Sequence, residues 1–75
     1  MAEMVYTVAE TATLLKTGKN YIYKLINSGQ IKVIKLPNIK IRKSELERFL
    51  EQYEGYDLTD PNNPEPIKPN EIKED

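Results

Sequence analysis

Between residues 19 and 53 the apolar spacing changes twice, and that alternation constrains the fold more than any other feature of the chain. Ile22, Leu25 and Ile26 recur at i, i+3 and i+4, which places them on one side of a helix. From Ile31 the period shortens. Residues 31–36 (IKVIKL) and 39–42 (IKIR) are rich in β-branched side chains and enclose Pro37-Asn38, a natural turn. From Leu46 the helical spacing returns, with Leu46, Phe49, Leu50 and Tyr53 at i, i+3, i+4 and i+7. The expectation is an α+β fold with a two-stranded hairpin between two helices. An isolated hairpin is marginal in water, so it must lean on those helices.

The ends of the helices are also written in the chain. Thr7-Val8-Ala9-Glu10 fits a capping box, and Val8, Ala12 and Leu15 then form a narrow apolar stripe. Thr17-Gly18 offers a turn that stops this first helix near Lys16. It is too short to be stable unless it packs on something. The second helix spans residues 19–28, with Gly29 as the left-handed residue just past its end. Two short helices joined by a Gly-containing turn form a helix-turn-helix. Ser44-Glu45-Leu46-Glu47 reads as a second capping box opening the third helix. Gly55 would end that helix, with Tyr56 folded back onto Leu50. In the hairpin, Ile39 and Ile41 share one face, with Lys40 and Arg42 on the other. Ile34 and Leu36 are expected on the core face, leaving Lys35 and Val33 outside.

Charge then points to a partner. The net charge of the 75 residues is −1, but residues 1–53 carry +4 and residues 54–75 carry −5. From Lys16 to Lys43 there are eight cations and no Asp or Glu. Solubility alone is usually served by mixed signs, whereas a one-sign field of this length suits a polyanion. On the second helix Asn20, Lys24 and Asn27 fall together opposite the apolar side, flanked by Tyr21 and Tyr23. Taken alone, this is an amphipathic helix whose polar side meets water. Beside the acid-free run it suits duplex DNA: amides pair with adenine, Lys with guanine or phosphate, and Tyr with phosphate. The candidate contacts are Lys19, Asn20, Tyr21, Tyr23, Lys24 and Asn27 on the helix, and Thr17 through its hydroxyl to phosphate. Lys35, Lys40 and Arg42 would serve from the hairpin, acting as a wing.

Other classes fit poorly. With no Cys and no His, the chain has no disulfide scaffold, no Cys/His zinc site and no nucleophile–His pair. Arg42 and Arg48 are the only arginines, too few for a tyrosine recombinase, and Glu47 and Glu51 read as a solvated helix face. The expectation is therefore a protein without catalytic residues, metal or cofactor. No apolar run approaches membrane-spanning length and the first eight residues lack signal-peptide blocks, so a soluble cytoplasmic protein is expected. The chain divides into residues 1–55, the folded unit, and residues 56–75, an acidic tail holding four of the five prolines. Its low apolar content predicts disorder or a loosely extended path. Folding back on the basic surface, or docking a protein partner, are the alternatives.

Taken in order, residues 6–53 resemble the excisionase-type winged helix-turn-helix family, relatives of the MerR DNA-binding domain. The resemblance is carried by Tyr6-Thr7-Val8, Leu14-Leu15, Ile22-Tyr23-Lys24-Leu25-Ile26, Ser28-Gly29 and the run from Arg42 through Ser44, Leu46 and Phe49 to Leu50. Two positions depart from the family pattern: Gly18 replaces the usual Ser at the start of the recognition helix, and Pro37-Asn38 replaces a longer Gly-Gly-Arg wing tip. The resemblance implies three short helices, a hairpin wing between the second and third, and binding to double-stranded DNA. It further implies an excisionase, or recombination directionality factor, of a phage or integrative element. Such proteins bind repeated sites, bend the DNA and direct an integrase; self-association on adjacent DNA sites is expected separately, because a module this small covers little DNA. Small transcriptional regulators share the fold. A protein-interaction module acting through the acidic tail, an anti-repressor or inhibitor, is the reading from a different class.

Overall fold

Thr7 ends a strand and starts a helix, and that double role anchors the amino-terminal half. The computed structural model describes residues 4–71. β1 (Val5–Thr7) leads directly into α1 (Val8–Leu14). The Thr7 hydroxyl accepts from Glu10 N at 3.1 Å and the Glu10 carboxylate accepts from Thr7 N at 2.9 Å, the expected capping box. α1 buries Val8, Thr11 and Ala12, with Leu15 half-buried beyond its end, so Thr11 joins the predicted stripe.

α1 and α2 (Lys19–Asn27) terminate in the same way. Past α1, Lys16 N donates to Thr13 O and Thr17 N to Ala12 O. Past α2, Gly29 N donates to Ile26 O and Gln30 N to Leu25 O. Both are Schellman motifs with a left-handed residue at the same position. In α2 that residue is Gly29, φ +83°; in α1 it is Lys16, φ +56°. Gly18 precedes α2 with no side-chain cap, as its lack of an oxygen dictates.

The hairpin lies between α2 and α3 as expected, but it is shorter and its register differs. β2 is only Ile34–Lys35; it pairs antiparallel with β3 (Ile39–Arg42), with Ile34 opposite Lys40 and Lys35 opposite Ile39. β1 pairs with the other edge of β3, giving a three-stranded sheet in the order β1-β3-β2. Ile34 and Leu36 are 41% and 54% exposed, whereas Ile31 is buried and Val33 packs on the core. The segment before β2 is irregular, so alternation cannot be projected through it. Ile31 and Val33 go inward, and the pair expected on the core face turns out.

α3 (Lys43–Tyr53) begins one residue before Ser44, without a side-chain cap. The expected capping box is therefore absent. The chain enters the helix straight from β3, and Lys43 N donates instead to Met4 O at 3.0 Å. Glu45 is used sideways: Arg48 grips it with Nε at 2.9 Å and Nη2 at 2.7 Å, while Lys32 N donates to it at 2.9 Å. Hydrogen bonding to Arg48, and next to Lys32, outweighs burial and lowers its pKa to about 2. The core gathers Val8, Ala12, Ile22, Leu25, Ile41, Leu46 and Phe49 from all three helices and the sheet, and Ile31 from the segment between α2 and β2. Among the described residues no helix is long and apolar enough to cross a membrane.

Beyond α3 the chain turns at Gly55, φ +91°. Tyr56 sets its ring edge-on to Tyr53 at 6.0 Å between centroids, and Leu50 stays half-exposed rather than covered by it. Composition predicted disorder or a loosely extended path; residues 56–71 take a defined one. β4 (Tyr56–Asp57) pairs with β5 (Glu65–Pro66), and a 3-10 turn follows at Pro69–Glu71. Between β4 and β5 the chain crosses the flank of α2, where Leu58 packs against the core and Pro61 is buried. Two apolar side chains and two carbonyls fasten to the domain a stretch that average composition marks as polar. The remainder of the tail lies outside the described residues.

Candidate nucleic-acid interface

α2 buries Ile22 and Leu25 and turns Asn20, Tyr23, Lys24 and Asn27 to solvent. The apolar side decides this orientation, because a nine-residue helix holds its place only by burying one face. Lys19 is exposed at the first position, beside the wing. It lines an open groove with Tyr23, Lys35, Asn38, Ile39 and Lys40, to which Thr7, Val8 and Ala9 also contribute. Three of the predicted cations, from a helix and a hairpin distant in sequence, therefore come together on one side of α2. Tyr23 joins them.

The other flank of α2 differs. Tyr21 is half-buried, and its hydroxyl donates to the carbonyl of Leu58. Burial, and next the charge of Asp57, raises its pKa above the ordinary value. Lys24, Asn27 and Ser28 line a second groove against Thr59, Asp60, Pro61 and Asn62. Asp57 Oδ1 accepts from Thr59 Oγ1 at 2.6 Å and Thr59 N at 2.9 Å, which lowers its pKa. Of the remaining predicted contacts, Thr17 is exposed in the turn between α1 and α2. Arg42 is exposed at the far end of β3, opposite Val5. Neither lines the two grooves.

Sequence reasoning missed Gln30 and the tail residues beside α2. Gln30 Nε2 donates to Pro61 O at 2.8 Å, its Oε1 accepts from the Tyr53 hydroxyl, and its carbonyl accepts from Arg48 Nη2 at 2.9 Å. One side chain thus joins α2, α3 and the tail. The available signal was a lone Leu58 and a nearby Pro61 within a polar stretch, which mark a point of attachment rather than free chain.

The exposed polar strip of a second helix, set beside a cationic hairpin, is an arrangement that docks a helix in the major groove with its neighbours on the backbone. Comparison with known proteins agrees at the level of the domain: the helix-turn-helix domain family matches residues 5–54. Neither the curated proteins nor the solved structures contain a match to the chain. Residues 5–54 make up most of the chain and hold all three helices and the wing, and on that match the protein belongs to the DNA-binding helix-turn-helix domain family.

Proposed function

We propose that this protein binds double-stranded DNA sequence-specifically and acts as an excisionase, a recombination directionality factor that bends DNA to direct an integrase. The observation that carries the DNA-reading part is the free strip Asn20–Tyr23–Lys24–Asn27 beside the groove that gathers Lys19, Lys35 and Lys40. Amides on the strip suit base edges, and the three lysines suit backbone phosphates on one side. The directionality role rests on the excisionase-type pattern over residues 6–53. A module this small covers little DNA, so high specificity requires copies on adjacent sites.

Fluorescence-anisotropy titration of duplex DNA across a salt series tests the first part. The expected slope of log affinity against log salt is about −3 to −6, set by a handful of phosphate contacts. A flat, weak response overturns DNA binding. Selection from a random duplex pool tests the second part. It should return adjacent repeats of a short site that bends when bound, as read by fluorescence transfer between labelled ends. Single, unbent sites would leave DNA binding standing and remove the directionality role.

A further inference from the structure

α2 lies between two grooves of similar size, about 420 Å³ on the wing side and about 390 Å³ on the tail side. Charge, not room, distinguishes them. The wing side presents Lys19, Lys35 and Lys40; on the tail side Lys24 faces a segment carrying Asp60, and Asp57 lines an adjoining hollow with Tyr21. That segment is fastened at two points: the Tyr21 hydroxyl donates to Leu58 O, and Gln30 Nε2 donates to Pro61 O at 2.8 Å. Around these anchors two successive turns fix the carboxylates. Asp57 accepts from Thr59, and Asp60 Oδ1 accepts from Asn62 N at 3.0 Å. The family match ends at residue 54, so this strap lies outside the shared domain.

We propose that the strap, residues 57–62, is a specificity element: a fixed negative wall along one flank of the reading helix, opposite the cationic wing, that repels backbone phosphate from the Lys24 edge. The inference rests on the DNA-binding reading above. A duplex held in register by base contacts to Asn20, with Tyr23 and Lys19 against it on the wing-side groove, sits towards the wing. A duplex held by phosphates alone slides and tilts, and so meets the wall. Non-specific binding depends almost wholly on charge, so it loses the larger fraction of its affinity. The repulsion acts within a Debye length, about 8 Å at physiological salt, and fades as salt rises.

The test uses the full chain with Asp57→Asn and Asp60→Asn combined. Asn accepts the same turn hydrogen bonds, so the strap keeps its shape while the wall loses its charge. Glu47→Gln with Glu51→Gln on the exposed face of α3 makes the same change in net charge elsewhere. Affinity is measured for random duplex and for a selected site, at low and high salt. The strap variant should bind random duplex roughly three- to tenfold tighter at low salt and gain little at high salt. Its preference for the selected site should shrink by the same factor, while the α3 control preserves that preference. Tyr21→Phe, which frees one anchor without changing charge, should move the preference in the same direction. If the strap variant matches the α3 control, or shifts both DNAs alike, the strap is not a specificity element. If the unmodified protein shows no salt-dependent binding to either DNA, the DNA-binding reading fails as well.

Discussion

The side-chain amide of Gln30 donates to the carbonyl of Pro61 at 2.8 Å, linking the residue just past α2 to the acidic tail. Gln30 also receives the Tyr53 hydroxyl on its other side-chain atom, so its amide is satisfied in both directions. Removing it leaves two partners without a bond at a part-buried site. Gln30→Ala should therefore cost about 1–3 kcal/mol, beyond the ordinary worth of one hydrogen bond. Urea unfolding followed by circular dichroism measures this. A loss below a few tenths of a kcal/mol would show that the tail is not fastened there.

Lys16 and Gly29 occupy equivalent positions in two Schellman motifs, but only Gly29 adopts a left-handed backbone without a steric penalty. The side chain at Lys16 costs about 1 kcal/mol in that conformation. Part of this is offset in Lys16→Gly because glycine gains freedom in the unfolded chain. The net expectation is stabilisation by about 0.5 kcal/mol, seen as a higher urea midpoint at unchanged slope. A lower midpoint would mean that the lysine side chain contributes more by packing than its backbone costs.

Thr11 is fully buried and its hydroxyl has no hydrogen-bond partner. Valine has nearly the same shape and no polar atom to desolvate. Thr11→Val should raise stability by about 1 kcal/mol. Thermal unfolding of the two proteins at equal concentration decides it, and a fall in midpoint would reveal a partner for that oxygen.

The folded pKa of Glu45 is about 2, against an ordinary 4.5. A carboxylate lowered on folding contributes stability that is fully present above the unfolded value and lost as pH falls through the folded one. The melting temperature should therefore decline between about pH 4.5 and pH 2. Glu45→Gln should be less stable at neutral pH and show a flatter decline over that interval. Parallel curves for the two proteins would place the acid sensitivity elsewhere.

On DNA, the two sets of candidate contacts should separate. Asn20→Ala and Lys24→Ala should each lower affinity for a selected site by about 1–3 kcal/mol per lost base contact and relax its sequence preference. Lys35→Ala or Lys40→Ala should weaken all duplexes alike and reduce the salt slope by about 1. Normal site binding by the Asn20 and Lys24 variants would remove α2 from the reading role.

Local signals in the chain determined the helices, the amino-terminal capping box, the place of the hairpin and the polar strip of α2. Each depends on residues within a turn or two of one another, such as Thr7 with Glu10 or Ile22 with Leu25. Three features depended on contacts far along the chain, and only the tertiary structure decided them. β1 completes the sheet because β3 offers it a free edge, and the Met4 carbonyl then supplies the start of α3 in place of Ser44. Val33 turns inward and Ile34 outward because the irregular approach to β2 breaks the alternation. Residues 56–71 take a defined path because Tyr21 and Gln30 donate to the Leu58 and Pro61 carbonyls and the core receives Leu58. Composition measures how much apolar surface a segment carries, not whether a neighbouring surface is shaped to accept it. The two differently charged flanks of α2 arise from that acceptance.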